Sequence, residues 1–265
     1  MPATEIRFDH LMVAVADLEA AGERYRDLGF EVRTGGRHAN LGTENLIIPF
    51  RRERYIELIA VRDVASTRRN LEQGDRFVDL LERYDELPMI FVLRVSDLPG
   101  VRARLDAADI ATLEPHRLSR TGPDGRTVSF GLLSPASGPW RRGFPSFIDW
   151  GSAPQPAATA GEHPNGAVEL SALDVLVDDV ETHVRYYRSL GLAVSALAGQ
   201  DLATVDLDGL RLRLVGPAAQ PGGPDTLSAH GPGVTAVRLA GRADTTVPAQ
   251  PRRPFVLNLV AEAAG

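Results

Sequence analysis

A repeated segment constrains this chain more than any other feature. The stretch that starts at His10, passes Asp17 and ends at Gly29 and Phe30 matches, without a gap, the stretch from Ala172 through Asp179 to Gly191 and Leu192. A weaker third copy starts at Ile90, passes Asp97 and ends near Ile110. Recurring units of this kind fold alike and bury their apolar faces against one another. In the first copy Leu11, Val13 and Val15 alternate as a strand does, and Phe91, Leu93, Val95 and Leu173, Val175, Val177 repeat the pattern. Asp17, Asp97 and Asp179 stand where a helix needs an N-cap acceptor. Leu18, Ala21, Tyr25 and Leu28 then share one helical face, and Gly29 and Gly191 are placed to end their helices.

Short strand-like runs follow each helix. They fall at 30–33, 45–50 and 55–61 in the first copy, at 111–114, 127–133 and 146–150 in the second, and at 193–196, 203–207 and 210–215 in the third. The unit is therefore β-α-β-β-β, three times over. One more helix is expected over 75–84, where Phe77, Leu80, Leu81 and Tyr84 share a side. Residues 152–166, rich in Ala, Pro and Gly, read as a linker, and 217–233 as a second flexible stretch. Runs at 234–240 and 255–260 supply strands of an incomplete fourth unit. The expected fold class is α+β, with a first domain at 1–151 built from units 6–62 and 88–151. A third, degenerate unit with a partial fourth occupies 167–265.

All 29 basic residues are arginine and no cysteine occurs. A lysine Schiff base, a P-loop lysine, a thiol nucleophile, cysteine-bound zinc and disulfides are excluded, leaving His, Asp, Glu, Arg, Tyr, Ser and backbone to do chemistry. With a formal charge of -6 and its arginines scattered among carboxylates, the chain does not read as a nucleic-acid binder. It has no apolar run of about 18 residues for a membrane and no secretory signal pattern near Met1, so a cytoplasmic location is expected. No G-x-S-x-G elbow occurs, and Gly35-Gly36 precede a loop and strand rather than a helix, so they are no dinucleotide fingerprint.

The paired units resemble the vicinal oxygen chelate superfamily, which includes glyoxalases, extradiol dioxygenases and bleomycin-resistance proteins. The wording of Phe8-Asp9-His10, Gly35-Gly36-Arg37-His38, Tyr55-Ile56-Glu57-Leu58, Ser119-Arg120 and Phe147-Ile148-Asp149-Trp150 is similar to its glyoxalase-like domain family. The resemblance implies that two units form a cup-shaped curved sheet and that a divalent metal, Fe, Mn, Ni or Zn, sits among side chains of their outer strands. Carried over residue by residue, it gives His10, Glu57 and Asp149 as metal ligands, with Ile90 at a fourth position usually held by a ligand. His38 could join from its loop. Glu57 is also the candidate catalytic base, and His38, Arg94 and Arg120 are candidates for binding substrate. Arg94, at the cup-facing parity of its strand, suits a substrate carboxylate or a pair with Glu57. Aligning the third unit with the first sets Ala172 opposite His10 and Leu212 opposite Glu57.

Two functions stay open at this point. One is an enzyme acting on a small oxygenated organic molecule: a metal-dependent lyase, isomerase or dioxygenase. The other is a metal-free module that sequesters a small molecule against Phe8, Met12 and Ile90, as the resistance proteins do. Units two and three are also candidates for a homodimer contact.

Overall fold

A computed structural model describes residues 5–38, 40–71, 73–136, 141–196, 199–242 and 244–261. The first unit is β1 (Arg7–Val15), α1 (Leu18–Asp27), β2 (Arg33–His38), β3 (Thr43–Pro49) and β4 (Tyr55–Val61). The connection carries α2 (Val64–Asn70) and α3 (Gly74–Arg83). The second unit is β5 (Glu86–Arg94), α4 (Leu98–Asp106), β6 (His116–Thr121), β7 (Thr127–Leu133) and β8 (Ser146–Asp149). The third is β9 (Ala167–Leu176), α5 (Val180–Ser189), β10 (Val194–Ala196), β11 (Leu202–Leu207) and β12 (Leu210–Val215). A short helix, α6 (Gly223–His230), leads into β13 (Gly233–Gly241), β14 (Thr245–Val247) and β15 (Val256–Ala261).

The caps form as the repeat demands. Asp17 accepts from Ala20 N at 3.0 Å, Asp97 from Gly100 N at 2.9 Å and Asp179 from Glu181 N at 2.9 Å. Each satisfies an orphan donor and contributes about 0.5–2 kcal/mol. Ala21 and Tyr25 of α1 are buried, and so are Val184 and Tyr187 of α5, as the shared helical face requires. The strands at 55–61, 127–133 and 210–215 fall where the alternation sets them. Two others move: β2 begins at Arg33 rather than Phe30, and β6 begins at His116 rather than Ala111. The segment read as flexible at 217–233 contains α6.

The first two units close into a barrel in the order β1-β4-β3-β2-β6-β7-β8-β5, more complete than an open cup. Closure rests on β2 meeting β6 at Arg37 and Thr121. Gly36 makes that approach tolerable: its φ is 153°, and a Cβ there would overlap the Thr121 carbonyl. Gly36→Ala is expected to cost about 1–3 kcal/mol from the backbone strain alone. Urea unfolding measures it, and an unchanged midpoint would mean that the seam between β2 and β6 is not made there.

The second sheet, β10-β11-β12-β9-β13-β15-β14, stays open. Here β13 runs antiparallel to β9 and parallel to β15, as β5 does to β1 and β8. The fourth unit thus keeps the outer strands of the pattern, with no helix between β13 and β14 among the described residues. One core runs through both sheets, from Leu11, Tyr25 and Leu58 to Leu173, Tyr187 and Leu212.

The segment at 152–166 is held against the barrel rather than spanning freely. His163, 8% exposed, lies between Glu31 N at 3.0 Å and the Pro49 carbonyl at 2.9 Å, and Asn165 Nδ2 donates to the Leu28 carbonyl. Burial pulls the His163 imidazole below its ordinary pKa. Arg54, 1% exposed, leaves the β3–β4 turn and enters the second sheet, where it donates to Glu169, Leu170 O, Leu207 O and Asp208 O. Among the described residues no helix is long and apolar enough to cross a membrane.

Candidate active site

The barrel encloses a cavity of about 200 Å³. One part of its lining is polar, with His10, His38, Asn45, Tyr55, Glu57 and Arg120. The rest is largely apolar, including Met12, Phe77, Ile90, Phe130, Ile148 and Trp150. An apolar cavity with a few convergent polar groups is the usual form of a small-molecule site.

A register shift in β1 builds the centre of the polar part. Phe8 pairs with Leu93 and His10 with Val92, so Asp9 is the extra residue of a β-bulge. The bulge takes Phe8 into the core under the helices, away from the cavity wall expected for it. It also brings the fully buried Asp9 carboxylate to its neighbour's ring: Oδ1 lies 2.7 Å from His10 Nδ1. Oδ2 accepts from Arg94 Nε at 2.9 Å and from Trp150 Nε1 at 3.0 Å. Burial pushes the Asp9 carboxyl up, but His10, Arg94 and the Trp150 indole outweigh it and hold the group below the usual carboxylate value. Facing an ionised Asp9, His10 Nδ1 must donate, which leaves Nε2 toward the cavity. Tyr55 stacks on the imidazole with centroids 4.5 Å apart and planes 15° from parallel.

His10 Nε2 faces Glu57 Oε2 at 3.5 Å. The other Glu57 oxygen accepts from Asn45 Nδ2, and Glu57 itself is only 7% exposed. Glu57 is therefore fixed on one side by an amide and open on the other to the histidine. His38 contributes a second buried imidazole, its Nδ1 3.1 Å from Thr43 Oγ1. Burial lowers its pKa, with Glu57 opposing and Arg120 and His10 reinforcing, which favours the neutral ring.

His10, Glu57, His38 and Arg120 are thus gathered in one cavity, and Asp149 and Arg94 do not join them. Asp149 takes the parity of Phe147, on the side away from the cavity, and accepts from Gly151 N at 2.8 Å. Ser146 and Ile148 are the β8 residues that line the cavity. Arg94 sits at the end of β5, bound to Asp9 and to Glu53, and supports Asp9 from behind instead of meeting Glu57. Asp9, Asn45 and Tyr55 are the site residues that the sequence did not single out. The Asp9-His10 dipeptide was its one visible signal for the buried pair.

The pseudo-twofold relation of the two units accounts for the missing donors. Met12 pairs with Ile90 and His10 with Val92, so Ile90 occupies the position of His10. Met12 pairs with Glu57 in β4 as Val92 pairs with Ser146 in β8, so Ser146 occupies the position of Glu57. A histidine and a carboxylate in the first unit are matched by an isoleucine and a serine in the second. Among the described residues no group of three His, Asp or Glu side chains could hold a metal ion. This donor set does not fit a resident divalent metal, which needs at least three protein ligands in the usual sites. In the second sheet Arg213, opposite Asp174, takes the place of Glu57 that was assigned to Leu212. Arg213 and Arg238 both bond the Asp174 carboxylate.

This barrel of paired β-α-β-β-β units, with its site on the inner face of the strands, is the architecture of the vicinal oxygen chelate superfamily. The chain belongs to its glyoxalase-like domain family, whose profile matches residues 8–191. Among solved structures it is similar over its whole length to a hypothetical protein from Staphylococcus aureus, with a TM-score of 0.74, 14% identity and coverage of 97% of this chain and 100% of that one. It is also similar to a xylose isomerase-like TIM barrel/4-hydroxyphenylpyruvate dioxygenase fusion protein, with a TM-score of 0.58, 14% identity and coverage of 100% of this chain and 50% of that one. A mutant 4-hydroxymandelate synthase from Streptomyces coelicolor aligns with a TM-score of 0.53 and 18% identity over 92% of this chain and 72% of that one. At such identities the likeness is one of fold. No protein of curated function matches the sequence.

Proposed function

We propose that the barrel cavity binds a small oxygen-bearing organic molecule with an apolar body and moves a proton on it, as an isomerase or lyase does. In this reading Glu57 is the catalytic base and His10 its partner, with no metal ligated by the protein. The observation that carries it is the line Asp9–His10–Glu57 opening into an apolar cavity, with spacings of 2.7 and 3.5 Å. A carboxylate fixed by Asn45 can take a proton from a carbon next to a carbonyl. The imidazole, its Nδ1–H held by Asp9, can take that proton from Glu57 at Nε2 and pass it to the developing oxyanion. The dioxygenase reading is the least supported, because dioxygen chemistry of this kind needs a metal and the donors fall short. The metal-free binding module is the second reading, and the apolar wall of Met12, Ile90, Phe130 and Ile148 favours it.

Proton exchange separates the two. A panel of small ketones and keto acids is incubated with the protein in deuterated water, and loss of the proton next to the carbonyl is followed by NMR. The wild type is expected to catalyse exchange on at least one member, and Glu57→Gln to slow it by about 100-fold or more while still binding the compound. Exchange that persists undiminished in Glu57→Gln rejects the catalytic role. Compounds that bind the wild type without exchanging leave the binding module.

A further inference from the structure

The reading above leaves the chemical class of the ligand open, and one residue of the cavity narrows it. Arg120 projects from β6 into the polar part of the lining. Its Nη1 donates to the Gly35 carbonyl at 2.9 Å, while its Nε is buried and has no partner. Among the described residues no carboxylate lies within the 4.0 Å of an ion pair with it. The neighbouring arginine shows the contrast: Arg94 is matched by Asp9 and Glu53. Arg120 is therefore a cavity-lining guanidinium that lacks a counter-ion in contact.

The free donors also have a shape. With Nη1 taken by Gly35 and Nε shut off from the cavity, the donors of Nη2 remain, and they suit an oxygen of a planar carboxylate. A single guanidinium suits a monoanion, and Glu57 in the same cavity penalises a dianion such as a phosphate ester. The wall beyond it, with Phe77, Phe130 and Trp150, suits an apolar or aromatic body.

We infer that the ligand of the barrel cavity is an organic carboxylate with an apolar body, its carboxylate paired with the Arg120 guanidinium through Nη2. The inference rests on the proposed use of this cavity and deepens it. Arg120 is then the residue that selects acids over neutral compounds of the same shape.

Benzoylpropionate and its neutral counterpart butyrophenone test this by calorimetry, with levulinate and methyl propyl ketone as a smaller pair. The wild type is expected to bind each acid at least about tenfold more tightly than its neutral partner. Arg120→Gln is expected to abolish the gap, and Glu57→Gln, which removes a like charge from the same cavity, to widen it. Should Arg120→Gln fail to fold for want of the Gly35 contact, Arg120→Lys reads the same quantity: the charge stays, the planar guanidinium is lost and the gap narrows. Equal binding of acid and neutral compound, acids that do not bind, or a gap undiminished in the Arg120 variants overturns the inference. The same samples followed for deuterium exchange keep the two readings apart. A gap without exchange removes the proton chemistry and leaves the carboxylate assignment standing. Glu57-dependent exchange on butyrophenone without a gap does the reverse.

Discussion

Replacing Ile90 by histidine is expected to turn a cavity whose His10, His38 and Glu57 form no metal-holding group into a metal site. Ile90 faces Met12 across the β1–β5 pair as Val92 faces His10, so its side chain is the pseudo-symmetric counterpart of the imidazole already present. With His10 and Glu57 in place, a third ligand from β5 completes the minimum set for a first-row divalent ion. The His10 ring is already oriented by a carboxylate on its other nitrogen, the support that metal-bound histidines usually have. Ile90→His should therefore bind cobalt or zinc with a dissociation constant of about a micromolar or tighter, equivalent to roughly 8 kcal/mol. The wild type should bind at least about 100-fold more weakly. Cobalt absorption in the visible range reads both, and wild-type-like spectra at saturating cobalt would show that β5 does not present residue 90 to His10. A wild type that carries stoichiometric metal would instead overturn the donor argument itself.

Arg54→Ala should produce the largest loss of stability. Its guanidinium is almost wholly buried, yet it satisfies the Glu169 carboxylate and the carbonyls of Leu170, Leu207 and Asp208, all in the second sheet. Truncation takes the arginine from the Leu170 and Leu207 carbonyls, leaves Glu169 and the Asp208 carbonyl to Arg52 alone, and opens a gap where the β3–β4 turn meets β9 and the β11–β12 turn. Removing one partner of a buried charged network costs about 3–5 kcal/mol. For a chain of this size that is a fall in melting temperature of roughly 10 °C. A melting temperature within about 2 °C of wild type would mean that the two sheets are held together elsewhere.

Some of the site could be read directly from the sequence. His10, Glu57, His38 and Arg120 were named from residue type, strand parity and family wording, and the fold brings all four to one cavity. Asp149 shows where that reading stops. Phe147 packs in the core while Ser146 and Ile148 line the cavity, so β8 has apolar residues on both faces and its alternation does not say which side is inward. Arg94 shows a second stopping point: parity put it on the inner face, but its position at the strand end lets Asp9 and Glu53 claim it. Phe8 and Asp9 show a third, since one bulge reverses the parity of everything before it.

By itself the sequence determined what short-range physics controls. Apolar alternation set the strands, the aspartates capped the helices and the repeat required the units to pack alike, because each depends on residues a few positions apart. The tertiary structure decided the partners. Asp9 meets Arg94 at 85 residues' separation and Trp150 at 141, and the barrel closes where Gly36 lets Thr121 approach. Those pairings arise from register and from packing between units, and no local pattern records which buried carboxylate a given arginine will reach. For that reason the chain could be placed in its fold from its repeat, while the Asp9–His10–Glu57 line and the uncompensated Arg120 emerged only once the strands were in register.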